Sequence, residues 1–361
     1  MKKTLRQIFS AVSAIVISSI FISLICISSI FISSIALAQS TSLLVLAKSD
    51  NTVAMVDPAT LQVLTKIPSG PDPHEIIASD DGKLAFISNY GGLDSTLNTI
   101  SVVDLVARKA LPAIDLGALR STHGLDFAVG KLYFTAETNK VIGRYDPATQ
   151  RVDWILGTGQ DRTHMVWVDK SLNRIVTSNV NSATISIIEQ VSPPSGGFGP
   201  PPGGSRLTWK VTNVPTGKGC EGFDVSPDGK EIWAANAQDA TVTIIDAVTK
   251  KAVQTLAVPV KGANRLKFTP DGQRVLISAL GAREAGSSSL LVIDPATRKE
   301  VKQMSLGGGA AGILMAPDGS RAYVAVSTAD KVAVVDLKTL EVVGEISAGK
   351  QPDGLAWAVR K

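Results

Sequence analysis

The chain contains three histidines, and each opens the same short motif: His74-Glu75-Ile76, His123-Gly124-Leu125 and His164-Met165-Val166. The motif returns without histidine as Glu221-Gly222-Phe223, Asn264-Arg265-Leu266, Ala311-Gly312-Ile313 and Asp353-Gly354-Leu355. Imidazole nitrogens together with a carboxylate suit Zn, Fe, Cu or Ni. If successive copies stand side by side, His74, His123, His164 and Glu221 are expected to hold a divalent transition metal, with room left for water or substrate. A second set, Asn89, Glu137, Asn179 and Asn236, ends the run that follows each of these motifs and is expected to orient the ligands. Glu137 is the catalytic candidate among them, as a fifth ligand or a general base. Arg120, Lys218, Lys261 and Lys350 lie three residues before a motif, and Arg162 lies two before. Such a basic lip would favour an anionic ligand. A plainer reading stands beside this one. His74 shares strand parity with Ile76 and His123 with Leu125, so the rings could pack between sheets, and Asn serves a turn as readily as a site.

The elements that must position these residues are short strands. From Glu221 to Pro259, four runs rich in β-branched or aromatic residues are separated by turn chemistry, beginning with Pro227-Asp228-Gly229. Alternation between such turns predicts an antiparallel meander. A lone four-stranded sheet cannot cover both of its faces, so it needs copies beside it. Pro270-Asp271-Gly272, Pro317-Asp318-Gly319 and Asp80-Asp81-Gly82 open further copies, and Asp57-Pro58-Ala59-Thr60, Asp146-Pro147-Ala148-Thr149 and Asp294-Pro295-Ala296-Thr297 repeat the third-strand ending. A period of roughly 40–50 residues with four strands per unit marks a propeller blade. The last motif, at Asp353, has no strands after it, while Leu43-Leu44-Val45-Leu46 reads as a second strand with no first. Pairing the two termini completes one blade and removes open edges. The expected fold is all-β, a seven-bladed propeller of four-stranded antiparallel blades over 39–361.

The second strands, Phe86-Ile87-Ser88-Asn89, Ile175-Val176-Thr177-Ser178-Asn179 and Ile232-Trp233-Ala234-Ala235-Asn236, follow turns, Pro227-Asp228-Gly229 in the last case and Asp80-Asp81-Gly82 in the first, and precede Val-Ile-Asp-like endings. This pattern resembles the YVTN family of bacterial β-propellers over nearly all of the chain after residue 38. The resemblance implies the fold. Its implications for function are broad, since similar propellers serve as lactonases, lyases, dehydrogenase subunits, surface-layer proteins and binding scaffolds.

Residues 1–38 read as an export signal: a basic start at Lys2, Lys3 and Arg6, a long apolar and Ser-rich run, and Ala36-Leu37-Ala38 at the cut. An uncleaved anchor is the alternative, because the run is long enough to span a bilayer. Either way the propeller is expected outside the cytoplasm, in the periplasm or beyond, touching a membrane only if the leader stays. Without the leader's three basic residues, the 36 Lys and Arg fall to 33 against 32 acidic residues. That near-neutral balance gives no case for nucleic acid. Cys26 leaves with the leader, and Cys220 then has no partner for a disulfide. A Pro/Gly-rich insertion at 191–206 reads as a disordered loop or as a docking tag for a partner that binds extended proline-rich chain. No nucleophile turn and no haem-attachment motif is present, so no reaction is identified. Two functions remain. One is a funnel binding a metal and then a small anionic ligand, as in a metal-dependent hydrolase, lactonase, lyase or oxygenase. The other is a non-catalytic scaffold or dehydrogenase-associated subunit contacting another exported protein. A monomer is expected.

Overall fold

The computed structural model describes residues 41–92, 95–192, 207–281 and 287–360. The leader and nearly all of the Pro/Gly-rich insertion lie outside these residues. The described residues form seven sheets of four antiparallel strands, giving the expected seven-bladed propeller. The inner strands are Pro352–Val359 (blade 1), Pro73–Ala78 (blade 2), Thr122–Ala128 (blade 3), Thr163–Val168 (blade 4), Cys220–Val225 (blade 5), Ala263–Phe268 (blade 6) and Ile313–Met315 (blade 7). Each packs against the next, and the seventh packs against the first, closing the ring. The closure pairs Thr41–Ala47 with the C-terminal strand, Leu43 opposite Trp357 and Val45 opposite Leu355. Among the described residues no helix is long and apolar enough to cross a membrane.

The core lies between blades. Trp233, Val242 and Ile244 of blade 5 meet Leu266, Phe268 and Ile277 of blade 6 in one buried cluster. Leu43 and Val45 of blade 1 meet Tyr323 and Val334 of blade 7 in another. Each sheet thus buries both faces against its neighbours, which is why an isolated blade would not persist. Cys220 is fully buried, and burial pushes its thiol up to about 12, so it acts as a small core hydrophobe.

Two repeated backbone devices present the motif residues. The residue two places before the motif is left-handed in blades 1 to 6: Gln351, Asp72, Ser121, Arg162, Gly219 and Gly262. In those same blades pairing with the second strand then breaks across the motif, as between Pro73 and Ile76 or between Thr163 and Val166. A bulge of this kind re-aims a side chain. It releases His74 and His123 from the parity of Ile76 and Leu125, so their rings turn to the axis and do not pack between blades. The glycines that follow are needed for close approach. A Cβ at Gly124, Gly222, Gly312 or Gly354 would lie 2.4, 2.6, 2.2 or 2.6 Å from the carbonyl oxygen of His164, Asn264, Asp353 or His74, the motif residue of the next blade.

Candidate functional site at the axial funnel

All seven motif-opening residues line one cavity of about 170 Å³ at the axis, joined by Lys48, Tyr90, Arg162, Arg265 and Leu280. Hydroxyls of the second strands fix the bulges. Thr135 Oγ1 accepts from Gly124 N at 2.8 Å and donates to His164 O at 2.8 Å. Ser178 Oγ accepts from Met165 N at 3.2 Å and donates to Glu221 O at 2.5 Å. Ser278 does the same for Arg265 N and Ala311 O. Each hydroxyl therefore ties its own bulge to the motif residue of the next blade.

The histidines form an aromatic cluster. His123 and His164 stack with centroids 3.6 Å apart, His74 sits edge-on to His123 at 5.2 Å, and Tyr90 lies 4.8 Å from both His74 and His123. Tyr90 donates its hydroxyl to Glu137 Oε2 at 2.7 Å, while Glu137 Oε1 bonds His164 Nδ1. His164 Nε2 faces Glu221 Oε2 at 3.0 Å. Burial favours a neutral His164, but the carboxylates of Glu221 and Glu137 outweigh it and raise its pKa above the ordinary 6.5. Burial, then repulsion from the neighbouring His164, Arg265 and Arg162, drives His123 well below that value. The two stacked rings are thus pushed in opposite directions, His164 toward the imidazolium and His123 toward the neutral imidazole. Glu221 is pulled in two directions: burial raises its pKa, while His164 and the two arginines bring it well below the usual carboxylate range.

Around this stack Arg162 Nη1 lies 3.3 Å from Glu221 Oε1, and Arg162 Nε lies 3.5 Å from Glu137 Oε2. Lys48 Nζ pairs with Asp353 Oδ2 at 3.0 Å. His74 Nε2 reaches Asp72 Oδ1 at 3.2 Å, and this hydrogen bond lowers the Asp72 pKa. Arg265 forms the floor, donating to Glu75 Oε1 at 2.8 Å across the axis and to Asn264 Oδ1 at 3.3 Å. Below it a second cavity of about 210 Å³ continues along the axis.

The expected metal centre is not built this way. His74, His123, His164 and Glu221 do come together, yet among the described residues no group of three His, Cys, Asp or Glu is arranged to hold a metal ion. The physical reason is orientation. Two rings stack face to face instead of aiming at a shared point, and both nitrogens of His164 already face carboxylates. Glu137 is not part of the cavity wall; it stands behind His164 and holds it. Asn89, Asn179 and Asn236 do not reach the funnel. Their side-chain amides donate to third-strand hydroxyls: Asn89 to Thr99 and Ser101, Asn179 to Thr184 and Ser186, Asn236 to Thr241 and Thr243. Of the basic lip only Arg162 lines the cavity, while Arg120, Lys218, Lys261 and Lys350 are exposed and outside it. One residue of offset decides this, because the left-handed position before the motif turns Arg162 inward.

Tyr90, Arg265 and Lys48 were not singled out by the motif. Arg265 directly follows a motif opener, and Tyr90 directly follows Asn89, so both lay one position from a residue that the pattern marked.

The family model of the Cytochrome D1 heme domain matches residues 203–319, about a third of the chain. No curated protein matches. Among solved structures, hydrazine synthase from Kuenenia stuttgartiensis is similar with a TM-score of 0.63 at 18% identity, over 79% of this chain and 89% of that one. A putative 6-phosphogluconolactonase from Bacteroides fragilis gives 0.69 at 14% identity, over 89% and 99%. The dihydro-heme d1 dehydrogenase NirN in complex with DHE gives 0.59 at 14%, over 87% and 74%. At these identities the likeness carries the propeller fold alone. A haem-type group is also a poor fit to the funnel: about 170 Å³ is below the roughly 300 Å³ at which pockets for drug-sized ligands begin.

Proposed function

We propose that the funnel binds a small anionic ligand, a carboxylate or similar oxyanion, at Arg162 and the stacked histidines. The supporting observation is a buried nitrogen without a partner, His123 Nδ1, beside His164 Nε2 and Arg162 Nε, which face carboxylates at 3.0 and 3.5 Å without an aligned hydrogen bond, all on residues lining one cavity. Buried polar atoms are rarely left unpaired, and a cluster of them calls for a ligand or water. Sign and size support an anion. The wall presents Arg162, Arg265, Lys48 and His164, whose pKa is raised, against the carboxylates of Glu221 and Asp353, so basic groups outnumber acidic ones, while Glu137, behind His164, is not part of it. The volume equals about five to six waters at ~30 Å³ each, which suits a ligand of only a few heavy atoms. Where the ligand is reactive, His164 is placed as a general acid with Glu137 fixing its orientation. Glu137 is then a positioning residue.

The reading keeps the YVTN-type repeat as the scaffold and export through residues 1–38 as the route. Isothermal titration of a panel containing acetate, lactate, malate and phosphate tests it. Binding of at least one small anion is expected, weakened roughly tenfold or more in Arg162→Ala, since hydrogen bonds to charged groups contribute about 1.5–3 kcal/mol. A panel without binding, or equal binding by Arg162→Ala, would remove the reading.

A further inference from the structure

Glu221 is surrounded by cations that it does not engage closely. Its carboxylate lies 3.0 Å from His164 Nε2, 3.3 Å from Arg162 Nη1 and 3.6 Å from Arg265 Nη1. Charge-assisted hydrogen bonds usually close to about 2.7–2.9 Å. Other bonds in the site do so: Arg265 to Glu75 at 2.8 Å and Tyr90 to Glu137 at 2.7 Å. The contact with His164 lacks hydrogen-bond alignment, and Nε2 stays unpartnered. Glu221 is also the looser of the two carboxylates flanking His164, with its side chain 16% exposed against 0% for Glu137. His164, Arg162 and Arg265 thus converge on a carboxylate that meets none of them closer than 3.0 Å and borders the open cavity.

We propose that His164, Arg162 and Arg265 form a carboxylate subsite whose resident occupant is the Glu221 side chain, and that the funnel's ligand binds by displacing it. The inference rests on the small-anion reading above and narrows it to a planar carboxylate, the chemistry that Glu221 itself presents. Displacement swaps one carboxylate for another within the subsite, and Glu221, still charged, moves toward the mouth. Glu221 therefore weakens binding, the opposite of what a residue that held the ligand would do.

The test is acetate titration of the full chain, wild type against Glu221→Gln, by calorimetry and by thermal shift, with chloride at equal ionic strength as control. Glu221→Gln keeps the shape and loses the charge. Acetate is expected to bind this variant roughly tenfold or more tighter, the size by which a close like charge shifts an ionic equilibrium. Acetate should also raise its melting temperature more than that of wild type, and adding Arg162→Ala should cancel the gain. Equal or weaker acetate binding by Glu221→Gln would overturn the proposal. If that variant does not fold, Glu221→Asp, which withdraws the carboxylate by one methylene, carries the test. Tighter binding supports displacement and unchanged binding overturns it. Wild-type binding lost in Arg162→Ala with no gain in either Glu221 variant removes this inference alone. No acetate binding by wild type or any variant removes it together with the small-anion reading.

Discussion

Stacked at 3.6 Å, His123 and His164 differ in their neighbours. Glu137 and Glu221 flank His164, whereas His123 faces cations and has an unpartnered Nδ1. Because His164 is raised, its contribution to stability is full below about 6.5 and is lost as pH rises through its folded value. His123 is depressed, so its contribution is present above about 6.5 and is lost as pH falls toward its folded value. Glu221 is also depressed, and its contribution is lost as pH falls below the 4.5 ordinary for a glutamate. An NMR titration of the ring nitrogens should find one histidine titrating below the ordinary 6.5 and another above it. Joint titration of both near 6.5 would show that the carboxylates do not divide the pair. The sequence showed that the histidines were equivalent in register. It could not show whether they converge as ligands or stack, because that depends on ring rotation set by Glu137 and Tyr90, which come from neighbouring blades.

At the level of elements, the repeat was legible and its fine purpose was not. The turns, the strand order and the need for glycine after the motif could be read from spacing and crowding. The asparagines were ambiguous for a physical reason: the same amide that could orient a ligand can bridge two hydroxyls on the next strand, and Thr99, Thr184 and Thr241 supply them. The bulge was hidden because parity arguments assume an unbroken ladder. Gly312 tests the bulge geometry. Gly312→Ala should destabilise the protein by about 1–3 kcal/mol through overpacking, since its Cβ would meet Asp353 O at 2.2 Å. Gly157→Ala, with open space around the new methyl, should stay near wild type. Equal melting temperatures for the two variants would mean that the inner strands approach one another less closely.

In the whole molecule, the ring makes the site. Seven blades bring residues from 48 to 353 to one axis, and Arg265 meets Glu75 across 190 positions of sequence. The number of blades followed from the seven copies of the motif, and the closure between Thr41–Ala47 and Pro352–Val359 from what each end of the repeat lacked. The funnel floor did not, since no local pattern links blade 6 to blade 2. Charge shows the same difference of scale: the chain after residue 38 is near neutral, yet the wall of one small cavity gathers Arg162, Arg265, Lys48 and His164 around the carboxylates of Glu221 and Asp353. Crystals of the protein grown with saturating acetate test the central claim most directly. The account predicts a carboxylate within hydrogen-bond reach of Arg162 and His164. Water alone at those nitrogens, with Glu221 still between them, would contradict it.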